Sequence, residues 1–480
     1  MVSMAVKVWV LMALMCAGLG LGADDDDAAG GDSGGISRLS APNYSDALAK
    51  AITFFEGQRS GRLPANQRVT WRGDSALTDG QPENVNLTGG YYDAGDNVKF
   101  GFPMAFSVTL LSLSAVEYRD QVSAAGQLSY LRSAIQWGAD FLVRAHTTPT
   151  TLYTQVGDGN ADHQCWERPE DMDTPRTLYK ITQSSPGSEA AGEAAAALAA
   201  AYLVFRNDTD KTFATQLLAK SRSLFDFANN YKGSFQSSCP FYCSYSGYQD
   251  ELQWASAWLY RATRDQKYLD FLQNNQGGSS NEFSWDNKYP GAQLLATQAS
   301  HHPIRIVSSI NLQYATTATL VLFVYSKTLS SSGDKVVQCS AESFSPAQIR
   351  SFATKQVDYI LGVNPMGMSY MTGFSSKYPK RIHHRGSSIP SIKVLPRKVT
   401  CNEGFSSWFT TSDPNPNVHV GAIVGGPDGK DQFPDNRGDS THSEPATYIN
   451  AAFVGACAAA LGRNQLQEPV DDIASVISSN

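Results

Sequence analysis

Apolar residues recur at spacings of three and four along most of this chain, which is the period of a helix with one buried face. In the stretch 211–231, for example, Phe213, Leu217, Phe225 and Ala228 fall at such spacings. Strict alternation of apolar and polar residues, the pattern of a half-buried strand, is scarce. The pattern predicts helices at 44–58, 104–118, 127–146, 189–205, 211–231, 249–263, 307–328, 347–361 and 444–461.

The predicted helix at 189–205 is rich in alanine, which favours helix and permits a neighbouring helix to approach closely. Long segments at 60–103, 147–187 and 365–443 separate the helices and contain many Trp, Tyr, His and Arg residues. Loops of that length are either functional or disordered, and this composition favours function. With no linker and no internal repeat, the sequence predicts one large all-α domain whose loops gather at one end.

Net charge excludes one class of partner. The 480 residues carry a formal charge of −7, and no basic cluster of the kind that binds phosphate backbones is found. We therefore expect no nucleic acid partner.

The N-terminal residues predict secretion. Lys7 precedes an apolar run at 8–21, and small residues follow up to Ala23, as in a cleavable signal peptide. The run is shorter than the roughly 20 residues needed to span a bilayer, so a membrane anchor is not expected. We interpret 1–23 as the signal peptide, 24–40 as an acidic disordered leader, 41–468 as the folded domain and 469–480 as a short tail.

Cysteine usage and glycosylation motifs agree with an extracellular protein. Apart from Cys16 in the signal, the cysteines are even in number: Cys165, Cys239, Cys243, Cys339, Cys401 and Cys457. Their pairing stays open, although Cys239 and Cys243 could close a local loop. Zinc is less expected, because no second closely spaced pair completes a ligand set. N-glycosylation sequons occur at Asn43, Asn86 and Asn207.

Carboxylates and aromatic residues cluster in the long loops. Asp93 and Asp96 lie among glycines and tyrosines, and Glu444 lies just before a predicted helix. Hydrolysis of a glycosidic bond needs one carboxyl group to donate a proton and a second to activate water or to attack the sugar. Partial burial would raise the pKa of Glu444 toward that of a proton donor. Capping and turn roles are the structural alternative for each of these residues.

Four motifs together resemble those of the glycoside hydrolase family 9 cellulases, most closely the secreted plant endo-β-1,4-glucanases. They are YYDAGDNVKFGFP at 91–103, CWERPEDM at 165–172, HHR at 383–385 and SEPATY at 443–448. The resemblance runs from about 43 to 461. It implies an (α/α)6 barrel with an open substrate cleft at the loop end, and an inverting endo-β-1,4-glucanase acting on β-1,4-glucan in the cell wall, without a required cofactor and as a monomer.

The resemblance also implies roles for individual residues. Asp96 matches the catalytic base, Asp93 its partner in holding the water, and Glu444 the general acid. The further matches are His383 and Asp435 in the active site, Arg385, His163, Trp166 and Tyr448 toward substrate, and Asp250 as a candidate for a structural calcium. From the residues alone, the pair His383 and His384 leaves metal binding open as an alternative to hydrogen bonding with sugar.

Two positions depart from the family pattern. Ser440 replaces a usual aromatic residue, and Ser375 replaces a usual glycine. Because the ring at 440 would contact substrate, a weakly active glycan-binding protein stays open as an alternative. The same chemistry on xylan or mixed-linkage glucan is a second alternative. No carbohydrate-binding module is expected after the barrel, so soluble or amorphous glucan is the expected substrate rather than crystalline cellulose.

Overall fold

The computed structural model describes residues 41–275, 277–280, 282–300, 312–333, 336–339 and 342–462. The predicted signal peptide at 1–23, the leader at 24–40 and the tail at 469–480 lie outside these residues, as does the start of the helix predicted at 307–328. The domain predicted at 41–468 is described as far as residue 462.

The described residues are mostly helical. In chain order the helices are α1 (Tyr44–Gly57), α2 (Gly101–Glu117), α3 (Arg119–Ala124), α4 (Leu128–Ala145), α5 (Gly159–His163), α6 (Ser188–Phe205), α7 (Thr212–Asn230), α8 (Gln249–Thr263), α9 (Gln266–Asn274), α10 (Tyr289–Ser300), α11 (Leu312–Ser332), α12 (Pro346–Ile360), α13 (Arg385–Ser388), α14 (Cys401–Glu403), α15 (Ser440–Ser443) and α16 (Thr447–Leu461). A 3₁₀ turn at Gln81–Glu83 and a π-helical segment at Gly404–Phe409 complete the helical structure of the described ranges.

Six helices form a closed inner ring. Around the ring, α2 contacts α6, α6 contacts α8, α8 contacts α10, α10 contacts α11, α11 contacts α16, and α16 returns to α2. Alanine accounts for much of α6 and α16, and nearly every residue of these two helices is buried. Small side chains on all sides allow an inner helix to pack against several neighbours at once.

A second layer of amphipathic helices surrounds the ring. In the part of the chain that the structure describes, α1 packs on α16, α4 on α2 and α6, α7 on α6, α9 on α8, and α12 on α11 and α16. Each outer helix buries one face and leaves the other partly exposed, as the spacing of its apolar residues predicts. The prediction of an all-α double barrel is confirmed.

The strands are short. They are β1 (Lys99–Phe100), β2 (His146–Thr148), β3 (Thr151–Val156), β4 (Leu178–Ile181), β5 (Val337–Cys339) and β6 (Glu342–Phe344). All pairings are antiparallel: β1 and β2 share one edge of β3, β4 covers the other edge, and β5 pairs with β6. Because Lys99 pairs with Val156, the sheet anchors the chain immediately after Asp96.

Buried charges also fix this region. The Lys99 ammonium is fully buried, 2.7 Å from a carboxylate oxygen of Asp79, and the Arg176 guanidinium binds the same carboxylate through two contacts of 2.9 Å. Arg176 also donates to the carbonyl of Asn97 at 2.7 Å. Burial lowers the pKa of Lys99 to about 8, although Asp79 opposes that shift. This ion cluster holds the loop at 79–99 against the sheet.

No helix within the described ranges is both long enough and apolar enough to cross a bilayer. Two disulfide bonds join Cys165 to Cys401 and Cys239 to Cys243. The pairing left open on sequence thus includes the local bridge between Cys239 and Cys243. Trp254 and Trp258 are fully buried in the barrel wall.

The backbone of Ser375 shows why glycine is usual at that position. Its φ is +60°, in the left-handed region that costs a residue with a Cβ about 1 kcal/mol. We expect Ser375→Gly to raise the free energy of unfolding by about 0.5 kcal/mol, because glycine's greater freedom in the unfolded chain offsets part of the gain. Denaturant unfolding measures this change. Ser376→Gly, at an exposed neighbour outside the positive-φ region, is the matched control and should be slightly destabilising.

Candidate active site

The predicted carboxylates line one pocket at the loop end of the barrel. Its volume is about 270 Å³, and residues at or just before the N-termini of α2, α11 and α16 contribute to its wall. The lining residues are Asp93, Ala94, Asp96, Phe100, His163, Phe241, Tyr242, Gln313, Gly425, Ser440, Thr441, Glu444, Ala446, Tyr448 and Ile449. Loops that are far apart in sequence thus place both aspartates and the glutamate around a single space.

The backbone that carries the two aspartates is held at nearly every residue. Asp93 donates its N–H to the carbonyl of Val98 at 3.2 Å and accepts from the N–H of Thr447 at 3.0 Å. Two residues further on, the carbonyl of Gly95 accepts from the backbone and side chain of Arg385 at 3.0 and 3.1 Å. This loop has no regular secondary structure, and bonds to distant segments fix its shape.

Asp93 is buried, and its two oxygens have different surroundings. Oδ2 accepts a hydrogen bond from the Tyr242 hydroxyl, whereas Oδ1 has no partner among the described residues. Burial raises the pKa of Asp93 well above its ordinary value, and the charges of Asp96 and Glu444 raise it further.

Asp96 is buried, but its carboxylate contacts an exposed residue, His163. Its Oδ1 accepts from the Val98 N–H at 3.1 Å, and its Oδ2 lies 3.3 Å from Nε2 of His163. Burial lowers the pKa of His163, but the hydrogen bond and the negative charge of Asp96 together raise that pKa above its ordinary value. The edge of the His163 ring packs on Phe241 at 4.4 Å between centroids.

Glu444 lies just before α16 and contacts the aspartate loop. Its Oε1 accepts from the N–H of Gly95 at 2.9 Å. Burial raises the pKa of Glu444 to about 7, and the negative charge of Asp96 is the next cause. A Cβ on Gly95 would lie 2.9 Å from that oxygen and 2.1 Å from the carbonyl of His383, so only glycine permits this approach. Glu444 therefore holds a proton near neutral pH.

His383 is neutral, and a backbone carbonyl fixes the orientation of its ring. Its Nδ1 donates to the carbonyl of Arg437 at 2.7 Å, which leaves Nε2 as an acceptor. Burial lowers the pKa of His383 to about 4, and the charge of Arg385 contributes.

Two residues assigned to substrate contact from the motifs lie beneath the pocket instead. Arg385 is 3% exposed and donates to the carbonyls of Cys165, Gly95 and Asp162. Trp166 is 1% exposed, its indole N–H donates to Ser388 at 2.9 Å, and its ring packs edge-on against His383. In this arrangement both residues support the loops rather than face the pocket.

Asp435 also lies outside the pocket lining. Its carboxylate accepts from the backbone N–H groups of Lys380 and Arg381 at 2.9–3.1 Å, so it orients the segment that leads into His383. Tyr448, in contrast, lines the pocket wall from the first turn of α16. Burial, with the charge of Asp93 next, raises the pKa of its hydroxyl.

Comparison with protein families identifies the family to which the chain is related. The model for glycosyl hydrolase family 9 matches residues 44–310 and 300–457, nearly all of the described chain.

The chain belongs to glycosyl hydrolase family 9. Among the relatives of this family 9 chain is Endoglucanase 20 of Oryza sativa subsp. japonica, 71% identical over 93% of this chain and 94% of the relative. An endoglucanase of Phaseolus vulgaris is 57% identical over 90% of this chain and 95% of the relative. The resemblance inferred from the four motifs is confirmed.

Solved structures agree with the barrel. The endoglucanase of the termite Nasutitermes takasagoensis aligns with a TM-score of 0.77 at 41% identity, covering 87% of this chain and 98% of that one. The cellulase Cel9M of C. cellulolyticum, solved in complex with cellobiose, aligns with a TM-score of 0.77 at 31% identity, covering 88% and 99%. The predicted (α/α)6 architecture of this family 9 chain is thereby confirmed.

Two aromatic residues near the aspartates could not be assigned from the sequence. The five-residue loop closed by Cys239 and Cys243 supplies both: Tyr242, which donates to Asp93, and Phe241, which packs on His163. The closely spaced cysteines marked a local disulfide, but nothing in the sequence placed it against residues about 150 positions earlier. An aromatic pair inside a predicted disulfide loop is the signal that could have been used.

Metal binding finds little support at the sites considered. Within the described ranges, one group of potential ligands is close enough, Cys165, Glu167 and Cys401, but its cysteines are joined in a disulfide. His384 is buried and bound to Gln58, so the pair His383 and His384 does not present two free imidazoles.

The predicted calcium residue is fully occupied by the protein. Asp250 is buried; its Oδ2 accepts from the Lys288 N–H at 2.7 Å, and Oδ1 lies 3.2 Å from the Ser246 hydroxyl. The Lys288 ammonium, 3.1 Å from Glu251, already brings a positive charge to this region. The residues present therefore do not call for calcium, and a calcium role for Asp250 stays a prediction.

Proposed function

We propose that this protein is an endo-β-1,4-glucanase that cleaves internal bonds of cellulosic polymers with inversion at the anomeric carbon. The observation that carries the proposal is one pocket lined by an acidic pair and by a glutamate whose pKa burial raises to about 7. Inverting hydrolysis needs such a pair of opposed functions, with room for a water between them, at a carboxyl separation of roughly 6.5–9.5 Å.

In this mechanism Glu444 donates its proton to the leaving glycosidic oxygen as the bond to the anomeric carbon breaks. Asp96 takes a proton from water on the opposite face of the sugar, and the water oxygen forms the new bond. Asp93 holds that water together with Asp96. Tyr242 keeps one oxygen of Asp93 occupied, and His163 orients Asp96.

The neighbouring residues take supporting roles in this proposal. His383 and Tyr448 contact the glucan, while Asp435, Arg385 and Trp166 hold the segments that carry the contacts. This division follows from exposure and hydrogen bonding, because Arg385 and Trp166 are buried and Asp435 is bonded to backbone N–H groups.

Substrate class comes from the relatives. The plant relatives described above are named endoglucanases, and CelQ of Clostridium thermocellum, 30–31% identical, has been solved with cellotriose and with cellotetraose. We propose β-1,4-glucan of the cell wall as the substrate here, hydrolysed by a secreted monomer without a required cofactor. The sequon asparagines Asn43, Asn86 and Asn207 are all exposed, which supports their use as glycosylation sites.

One feature favours the alternative of slow turnover. Ser440 lines the pocket and is exposed, but it offers no ring on which a sugar could stack. Sugar binding at that position is therefore weaker than with an aromatic residue, while the groups that transfer protons are complete.

A substrate panel tests the proposal. Purified protein is incubated with carboxymethylcellulose, mixed-linkage glucan and xylan, and the products are sized. We expect rapid loss of viscosity and cello-oligosaccharide products from carboxymethylcellulose, appearing first as α-anomers by NMR. Faster release from xylan would assign a different backbone, β-anomers would contradict inversion, and binding without products would leave the glycan-binding alternative as the better account.

A further inference from the structure

Gln58 joins three segments of the fold beneath the pocket. It follows the last residue of α1, is 1% exposed, and does not line the pocket. Its side-chain Nε2 donates to the carbonyl of Ala94 at 2.7 Å and to that of Tyr92 at 3.3 Å. Its own backbone carbonyl accepts from the Tyr92 N–H at 2.9 Å. Gln58 thus binds backbone groups of the residues on both sides of Asp93.

Two histidines fix the orientation of the Gln58 amide. The Ser387 N–H donates to Nδ1 of His384 at 3.0 Å, so the proton of this imidazole must be on Nε2. That Nε2 lies 2.8 Å from Oε1 of Gln58 and donates to it. Since Oε1 is the acceptor, Nε2 of His419 at 3.0 Å must also be a donor. A flipped Gln58 amide would point its NH₂ group at the N–H donors of the two histidines. It would also point its oxygen at the carbonyl oxygens of Tyr92 and Ala94.

The histidines are themselves held in place and uncharged. Both are buried, and burial lowers the pKa of His384 well below its usual range and that of His419 to about 3. The His419 ring stacks on Phe54 of α1 at 4.7 Å. A Cβ on Gly57 would lie 2.3 Å from this ring, so glycine at the end of α1 makes room for it.

We infer that Gln58, oriented by His384 and His419, is a positioning residue that sets the direction of the Asp93 carboxylate. These three residues are here called the glutamine brace. Because His384 lies between His383 and Arg385, the glutamine brace also couples the aspartate loop to the segment at 383–385. The inference rests on the proposed function, since it assigns a role in glucan hydrolysis to a group that does not touch substrate.

The test compares Gln58→Met with Gln253→Met. Gln253 is a matched control: it is buried in α8, and its Nε2 also donates to two carbonyls, those of Asn275 and Gly277 at 2.8 and 3.2 Å, away from the pocket. Both variants lose the same kind of bond. We expect Gln58→Met to lower kcat on cellopentaose by between about tenfold and a hundredfold with KM within about twofold, because a small displacement of a catalytic group carries that cost. Gln253→Met should keep both constants.

His419→Phe keeps the test valid if Gln58→Met does not fold. Phenylalanine retains the ring that packs on Phe54 but cannot donate to Gln58. We expect a loss in kcat of about threefold to tenfold, again without a change in KM, as the amide loses one of its two orienting donors.

Hydrogen exchange gives a readout that does not depend on activity. Mass spectrometry of the peptide at 90–98 should show faster exchange in Gln58→Met than in wild type, and unchanged exchange in Gln253→Met. A wild-type protein inactive on every glucan would refute the proposed function, while the exchange result would still test the glutamine brace. Wild-type kcat and exchange in folded Gln58→Met, a rise in KM alone, or an equal kcat loss in Gln253→Met would overturn the inference.

Discussion

Glu444→Gln is expected to lower kcat on carboxymethylcellulose by about a thousandfold, within the range of 10²–10⁴ that general acid catalysis contributes. The amide keeps the size of the side chain and can still accept from Gly95, but it has no proton to give to the leaving oxygen. KM should change little, because the substrate contacts are retained. Initial rates across a range of substrate concentrations measure both constants.

An activated substrate separates proton donation from a general loss of structure. A dinitrophenyl cellobioside releases a phenolate that needs no proton, so Glu444→Gln should cleave it at a rate within about tenfold of wild type. Equal loss on both substrates would show that Glu444 does not act as the acid. Glu403→Gln, at a partly exposed carboxylate away from the pocket, is the control and should behave as wild type.

The raised pKa of Glu444 also sets the direction of the pH profile. Because the protonated form is the active acid, kcat should fall as pH rises through about 7, where burial and the charge of Asp96 place this pKa. The loss on the alkaline side should be absent in Glu444→Gln on the activated substrate. A profile that rises through pH 7 would contradict the assignment.

The sequence predicted the long helices well because each is defined by its own buried face. Helix α6, for example, begins one residue before the predicted start and ends at the predicted end. The last inner helix begins at Thr447 rather than 444, because Glu444 to Ala446 are extended where they meet the aspartate loop. Periodicity cannot show where a tertiary contact ends a helix.

Short helices were missed for a related reason. Helices α13 and α15 have four residues each, too few for any periodic pattern, and side chains cap them: His384 accepts from Ser387, and Asp439 accepts from His442. Helices α9 and α10 were also missed, since α9 has only nine residues and α10 carries Pro and Gly in its first turn. These elements depend on contacts and caps more than on a repeating apolar face.

The site residues, like the helices, were predictable from sequence only in part. Motifs identified Asp93, Asp96 and Glu444, which the structure brings to one pocket. The motifs did not indicate that Trp166 and Arg385 would be buried, because burial depends on segments that pack over them from elsewhere. Residues such as Tyr242 and Gln58 act through contacts across the fold, which a single sequence does not display.

Asp96→Asn is expected to abolish most turnover, with kcat lowered by about a thousandfold or more, since the amide cannot take a proton from water. The Val98 N–H can still donate to the amide oxygen, so the loop should keep its shape. Unlike Glu444→Gln, this variant should be slow on the activated cellobioside too, because the attacking water is unactivated whatever the leaving group. The contrast between the two variants assigns base and acid separately.

Azide gives a second test of Asp96 as the catalytic base. As an anion it attacks without losing a proton, so it should restore part of the activity of Asp96→Asn and yield a glycosyl azide, but should not accelerate Glu444→Gln on carboxymethylcellulose. Asp93→Asn serves as the neighbouring control: it retains Asp96 as base and should lose only about tenfold to a hundredfold, the cost of a poorly held water. Rescue of Asp93→Asn by azide, together with the smaller loss in Asp96→Asn, would exchange the roles of the two aspartates. Tyr242, which is bonded to Asp93, would then be the residue that orients the base.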